Sequence, residues 1–160
     1  MGGGGGPHPD RVRRLTRRAA SVNVGHVRLR YLYVGSDDTG LQLAAWLALP
    51  GARLRWRFAH FGSDVAAVDI GGAPTVLLAD HRPAGSVLPI FDVDDLGPAS
   101  AALAAAGWTL TAGPLGTPEG PAALLGDGAG VEIALLQVDR PGVLERAFAD
   151  QGNRRVVRGG

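Results

Sequence analysis

Residues 87–96 read VLPIFDVDDL, and residues 126–137 read GDGAGVEIALLQ. The first stretch is a β-branched and aromatic run that ends at an acidic pair, which predicts a strand followed by a capped helix. The second is a glycine-rich turn followed by another apolar run, which predicts the closing strand of a hairpin. Together they bracket one strand–helix–strand–strand–strand unit, written βαβββ.

The same unit occurs earlier in the chain at a constant shift of 57 residues, and no gap is needed over about fifty residues. The aligned positions include Asp37-Asp38 and Asp94-Asp95, Gly71 and Gly128, Val76 and Ile133, and Leu78 and Leu135. An acidic helix start, a hairpin glycine and a final strand that recur at one shift indicate an internal duplication, and the duplication decides the fold.

The predicted fold class is α+β, with tandem βαβββ modules that form a curved mixed sheet around a cleft. We expect one domain at 26–138, with module one at 27–82 and module two at 86–138. In the first module, residues 52–60 alternate between apolar and arginine side chains, which predicts a half-buried strand. The apolar face of that strand would carry Ala52, Leu54, Trp56 and Phe58.

This order of elements resembles the vicinal oxygen chelate superfamily, which contains the glyoxalase I, bleomycin-resistance, fosfomycin-resistance and extradiol dioxygenase proteins. IFDVDDL at 90–96 is similar to the superfamily's F-x-V-D-D-L, and GDGAGVEIALLQ at 126–137 is similar to its D-x-x-G-x-x-I-E-L. The resemblance covers residues 27–138 and implies the fold given above. It leaves the activity open, because this fold hosts many chemistries.

In metal-dependent members of the superfamily, His or Glu ligands lie on the first and last strand of each half. The resemblance places these four positions at Tyr31, Leu77, Leu88 and Ala134. Aliphatic side chains cannot bind a cation, so we expect no metal cofactor at these positions. Glyoxalase and dioxygenase chemistry needs a metal to polarise an oxygen or to activate dioxygen. These residues therefore disfavour both activities, although a divalent metal held elsewhere stays possible.

Strand parity instead predicts an apolar cleft with two phenols in its wall. The predicted ligand-binding residues are Tyr31, Tyr33, Leu77, Leu88, Ile90 and Ala134, and Ala79 and Leu136 should share their surface. Such a surface suits a small hydrophobic or aromatic molecule, because the apolar wall supplies contact area and the hydroxyls supply orientation. The alternative is a closed core without a cavity.

Two further residues are candidates for catalysis. His81 adjoins Asp80, and a neighbouring carboxylate and imidazole can act as acid and base or bind a metal. Glu132 has the strand parity of Ala134 and could project into the cleft. Each residue is equally compatible with an exposed position at the end of a strand.

Composition excludes several classes of protein. The 160 residues include no cysteine, which excludes disulfides and cysteine-bound metals. No apolar run approaches the roughly 20 residues of a membrane span, and the N-terminus has no secretory signal, so we expect a cytoplasmic protein with no membrane partner. The net charge of +1 gives no drive toward nucleic acid. All basic residues are arginine, which, with the abundant alanine and glycine, suggests a GC-rich bacterial genome.

The two ends of the chain differ from its middle. Residues 1–25 are rich in glycine and arginine and predict a disordered basic tail. Residues 139–160 predict a C-terminal helix followed by a second tail. Val143, Leu144, Ala147 and Phe148 have helical spacing and must be buried somewhere, against the chain's own domain or in a homodimer. The superfamily resemblance implies the homodimer.

Two functions from different classes follow from these observations. The first is a metal-free binding protein for a small hydrophobic or aromatic molecule. The second is an enzyme of lyase, isomerase or dioxygenase type that has a non-standard metal site at His81 and Glu132, or that uses Tyr31 and His81 as metal-free acid and base. The aliphatic residues at the ligand positions favour binding over catalysis.

Overall fold

The computed structural model describes residues 25–60, 62–149 and 156–158. The strands are β1 (Val27–Gly35), β2 (Arg53–His60), β3 (Ser63–Asp69), β4 (Thr75–Ala79), β5 (Val87–Val93), β6 (Thr109–Gly116), β7 (Pro121–Gly126), β8 (Glu132–Gln137) and β9 (Val156–Arg158). The helices are α1 (Thr39–Leu47), α2 (Leu96–Ala105) and α3 (Val143–Ala149). Apart from Gly25, the predicted N-terminal tail lies outside the described residues.

The strands form one mixed sheet in the order β6-β7-β8-β5-β1-β4-β3-β2-β9. Within each module the first strand runs parallel to the last, β1 with β4 and β5 with β8. β1 and β5 pair antiparallel in the middle of the sheet and join the two modules. Apart from β9 at one edge, the strand order is therefore symmetric about the β1–β5 pair, which confirms the predicted α+β fold of tandem βαβββ modules.

The duplicated acidic pairs begin the two helices, as predicted. The Asp38 side chain accepts a hydrogen bond from the backbone N–H of Leu41 at 2.9 Å, and the Asp95 side chain accepts one from Gly97 at 3.0 Å. Each carboxylate satisfies an amide that has no partner within the helix. The repeat therefore preserves the residue that begins the helix as well as the order of the elements.

The prediction that the apolar side chains of residues 52–58 share one face is wrong. Arg55 is an extra residue in the ladder between β2 and β3, a β-bulge that lies between Leu54 and Trp56. An extra residue reverses the face to which the following side chains point. Leu54 therefore packs with the residues beneath α1, whereas Trp56 and Phe58 lie on the opposite face of the sheet.

A second bulge lies in β1, at Arg30, between Leu29 and Tyr31 in the ladder with β5. Val27, before the bulge, lies beside residues of α2. Tyr31 and Tyr33, after the bulge, lie on the face that carries Trp56. The two bulges therefore bring four aromatic side chains to one surface.

The core divides into layers on the two faces of the sheet. α1 covers the first module with a cluster that includes Leu43, Val68 and Leu78. α2 covers the second module with a cluster that includes Leu96 and Leu125. The remaining cluster lies on the other face, where Leu144 of α3 packs against it. In the part of the chain that the structure describes, no helix is long and apolar enough to span a membrane.

Candidate functional site

The face opposite α1 and α2 contains a cavity of about 450 Å³, large enough for a small organic molecule. It spans both modules, because β1, β4, β5 and β8 all contribute to its wall. The apolar lining residues are Trp56, Phe58, Val65, Leu77, Leu88, Ile90, Leu115, Pro118, Ala122, Leu124, Ala134, Leu136 and Leu144. The other lining residues are Tyr31, Tyr33, Arg82, Thr117 and Glu119.

The structure brings the predicted ligand-binding residues together in this wall. They are Tyr31, Tyr33, Leu77, Leu88, Ile90 and Ala134, and Leu136 joins them as expected. Ala79 does not line the cavity, although it is fully buried in β4. The residues predicted from strand parity therefore line a cavity. The structure does not have the closed core that was considered as an alternative.

The sequence did not reveal Glu119, which is the acidic group of this wall. It lies in the loop between β6 and β7, and its side chain is only 5% exposed. Its carboxylate accepts hydrogen bonds from the Tyr31 hydroxyl at 3.0 and 3.1 Å and from Arg30 at 2.5 Å. A buried carboxylate is tolerated when it is paired and hydrogen-bonded, and this one has both kinds of partner.

The same contacts change the acidity of the partners of Glu119. Burial, reinforced by the negative charge of Glu119, raises the pKa of Tyr31 to about 12. Burial alone would lower the pKa of Arg30, but the hydrogen bond to Glu119 and the neighbouring charges raise it above its usual value. Tyr31 is therefore a neutral hydrogen-bond donor at neutral pH, and Arg30 is charged.

A second polar group surrounds Tyr33. Its hydroxyl lies 2.5 Å from Nε2 of His81, and the two rings meet edge to face with 5.6 Å between centroids. Nδ1 of His81 lies 3.8 Å from the Asp80 carboxylate. The guanidinium carbon of Arg82 lies 5.4 Å from the centre of the Tyr33 ring. Burial is the main cause that raises the pKa of Tyr33, while the charge of Arg82 lowers it and that of Asp80 raises it.

The candidate catalytic residues His81 and Glu132 do not meet. His81 contacts Tyr33, which lines the cavity, whereas Glu132 lies at the start of β8 opposite Gly126 and does not line it. The Glu132 carboxylate accepts a hydrogen bond from the Thr111 hydroxyl at 3.1 Å. Glu132 lies two residues before Ala134 in β8, and at this distance along the strand it does not line the cavity.

Tyr31, Leu77, Leu88 and Ala134, the residues that the sequence resemblance places at the metal-ligand positions, lie together in the cavity wall. Three of them have no donor atom, and the Tyr31 hydroxyl is engaged by Glu119. Within the described residues, no group of three or more His, Cys, Asp or Glu side chains is arranged to hold a metal ion. These side chains do not fit the divalent metal that the fold implies.

A second cavity of about 370 Å³ adjoins the first one, with Tyr31 in the wall of both. It is lined by arginines that are already paired with carboxylates. Arg28 lies 2.9 Å from Asp92, and Arg55 lies 3.4 Å from Glu145. Arg30, which shares this wall, is held by Glu119. The charges of this second cavity are therefore largely matched within the protein.

No family model matches the sequence, and no curated protein is significantly similar to it. Solved structures do share its fold. A hypothetical protein, BH1468 from Bacillus halodurans C-125, superposes with a TM-score of 0.60 at 13% identity, over 71% of this chain and 96% of that one.

Methylmalonyl-CoA epimerases superpose as well. A single-residue variant of the Streptomyces coelicolor enzyme, in complex with 2-nitronate-propionyl-CoA, gives a TM-score of 0.56 at 17% identity, over 71% of this chain and 98% of that one. The Mycobacterium tuberculosis epimerase gives 0.57 at 17% identity, over 73% and 91% of the two chains. The protein therefore has the vicinal oxygen chelate fold. At this identity the likeness is one of fold alone.

Proposed function

We propose that the protein binds a small hydrophobic or aromatic molecule without a metal. The observation that carries this proposal is the wall at Leu77, Leu88 and Ala134, which is aliphatic where metal-dependent proteins of this fold have ligands. An apolar cavity with a few fixed polar groups is the usual form of a small-molecule site. Contact with aliphatic and aromatic side chains would supply most of the binding free energy.

Tyr31 and Tyr33 orient the ligand in this proposal. Both hydroxyls already have a partner in the protein, Glu119 and His81 respectively, so neither depends on the ligand for its first hydrogen bond. A phenol oxygen can donate one hydrogen bond and still accept another. A ligand that carries an N–H or O–H group can therefore donate to the Tyr31 oxygen while Tyr31 donates to Glu119.

The test is a thermal-shift screen of natural products and aromatic metabolites, run with and without EDTA. We expect stabilisation by some compounds that EDTA does not remove. Stabilisation that disappears with EDTA would mean that a metal holds the ligand, and no stabilisation by any compound would contradict the proposal.

Variants locate the binding site of any compound found in this screen. Ala134→Leu adds bulk within the cavity and should abolish the thermal shift, and Leu88→Asp should lower both binding and stability because it buries an unpaired charge. Leu41→Asp is the control, since Leu41 is 74% exposed on α1 and lies on the other face of the sheet. A thermal shift that survives in Ala134→Leu would place the ligand elsewhere.

The contact between Tyr33 and His81 supports a second candidate function, metal-free acid and base catalysis of an isomerase or lyase type. His81 is 43% exposed and can exchange protons with solvent, while Tyr33 reaches the cavity. The pair used would be Tyr33 and His81, rather than the Tyr31 and His81 expected from the sequence. Incubation of each bound compound in D₂O, followed by mass spectrometry, tests this. Deuterium incorporation that is lost in His81→Gln would support catalysis, and none with any compound would contradict it.

We also propose that the chain forms a homodimer, as other proteins of this length and superfamily commonly do. The packing of Leu144 against its own domain weakens the physical support for it from the terminal helix. Sedimentation equilibrium at high micromolar concentration tests this proposal, and a monomer there would remove it.

A further inference from the structure

Arg82 differs from the other arginines whose side chains the structure describes. Five of them pair with carboxylates, and Arg140 and Arg146 donate to backbone carbonyl groups. Among the described residues, Arg82 makes neither kind of contact. It is half-buried in the wall of the 450 Å³ cavity, and its Nε atom is shielded from water with no hydrogen-bond partner.

The carboxylates near Arg82 are already engaged. Glu119, in the same wall, is held by Arg30 and Tyr31. Asp80 accepts a hydrogen bond from the backbone N–H of Asp64 at 2.9 Å and lies 3.8 Å from Nδ1 of His81. Arg82 is thus left with the face of the Tyr33 ring, which attracts its positive charge. This contact does not replace the oxygen acceptors that the N–H groups of Arg82 lack.

An arginine in an apolar wall is a specific receptor for a planar anion. The guanidinium keeps its charge at all physiological pH values, and its fork of N–H groups matches the two oxygens of a carboxylate. Apolar surroundings strengthen such a contact, because the effective dielectric constant there is lower than in water. The guanidinium carbon already lies 5.4 Å from the centre of the Tyr33 ring, so the cation is held at the cavity wall by an attractive contact with this ring.

We propose that the ligand is an amphipathic anion: an aromatic or aliphatic body that fills the apolar part of the cavity, and one carboxylate that pairs with Arg82. This inference rests on the proposed binding function and narrows it to a chemical class. The body contacts the wall at Leu77, Leu88 and Ala134, and the carboxylate lies beside Tyr33.

The test uses matched pairs of probes in which only the charge differs. They are 1-naphthoate with 1-naphthamide, 2-naphthoate with 2-naphthamide, and 4-phenylbenzoate with 4-phenylbenzamide. Isothermal titration calorimetry measures the binding of each compound to the unaltered chain, to Arg82→Gln and to Arg53→Gln. Arg53 is the matched control, because its side chain is 71% exposed and does not line the cavity.

We expect the acid of at least one pair to bind the unaltered chain roughly tenfold or more tightly than its amide, the size expected of a hydrogen-bonded charge pair. Arg82→Gln should abolish that preference of acid over amide, whereas Arg53→Gln should keep it. Equal binding of acid and amide, or a preference that survives in Arg82→Gln, would overturn the inference and leave the binding function standing. No binding of any probe would contradict both.

Discussion

Glu119 is nearly fully buried, and its carboxylate is held by one phenol and one guanidinium. Taking such a charge out of water costs several kcal/mol, which the partners offset only while all of them are present. The group is therefore a poor source of net stability but is sensitive to substitution, because removal of Glu119 takes a hydrogen-bond acceptor from both Tyr31 and Arg30. It also fixes the position of Tyr31 in the cavity wall.

The ionisation of Tyr31 provides one test of this arrangement. The chain has two tyrosines, and the raised pKa of Tyr31, about 12, means that its phenol ionises well above the ordinary value near 10. The folded state favours the protonated phenol, so its contribution to stability is complete below about pH 10 and is lost as the pH rises toward about 12. The difference in absorbance at 295 nm between the unaltered chain and Tyr31→Phe should isolate this late ionisation, because Tyr33, whose pKa is also raised, is present in both. A tyrosinate signal half complete near pH 10 in the folded chain would contradict it.

The ion pair between Glu119 and Arg30 provides a second test of this arrangement. Glu119→Leu should destabilise the protein by about 1–3 kcal/mol, because Tyr31 loses its acceptor and Arg30 keeps only its longer contact with Asp92, at 3.7 Å. Arg30→Met combined with Glu119→Leu should recover part of that loss, since both charges are gone. Urea denaturation of the two single variants and the double variant completes the cycle. Additive losses would show that the two side chains do not interact.

Among the elements, the beginnings of the helices follow local sequence signals, whereas the reversal of face within β2 does not. An acidic residue placed before an apolar run was enough to predict where α1 and α2 begin, because a cap depends on residues within one turn. The reversal at Arg55 could not be predicted in this way. A bulge is defined by the pairing with the neighbouring strand. The alternation of arginine and apolar residues in RLRWRF is the same with a bulge as without one, so the sequence does not reveal it.

The duplicated caps should contribute equally to stability. Asp38→Ala and Asp95→Ala should each cost about 1 kcal/mol, since each removes the acceptor for one amide in the first turn. Asp37→Ala is the matched control, because Asp37 adjoins Asp38 in the chain but does not cap α1. Chemical denaturation of the three variants measures the effect. A loss at Asp37 as large as that at Asp38 would point to charge rather than capping as the cause.

At the scale of the whole molecule, the sequence predicted the cavity floor and its two phenols but not its charged groups. The residues of the cavity floor can be predicted from the repeat and from strand parity, because both assign a face of the sheet to successive residues of a strand. Glu119 and Arg82 lie in loops, and Glu119 has no counterpart in the first module, where Gly62 occupies the aligned position. Their place beside the tyrosines depends on how the loops fold over the sheet, and no local pattern reports it.

The two modules should unfold together. They share the β1–β5 ladder and both line the cavity, so neither can lose its structure without exposing the apolar surface of the other. Differential scanning calorimetry should therefore give one transition whose calorimetric and van 't Hoff enthalpies agree. Two resolved transitions would show that each module is stable alone.

The central position of β1 and β5 has a consequence for how the molecule opens locally. Several strands flank this pair on either side, so fraying that begins at β6 or β9 reaches it last. In deuterium-exchange measurements, the amides of Tyr31 and Tyr33 should be among the slowest to exchange. The side chains that would meet a ligand first are thus attached to the most persistent part of the backbone. Local opening at the edges of the sheet therefore leaves the backbone of Tyr31 and Tyr33 in place.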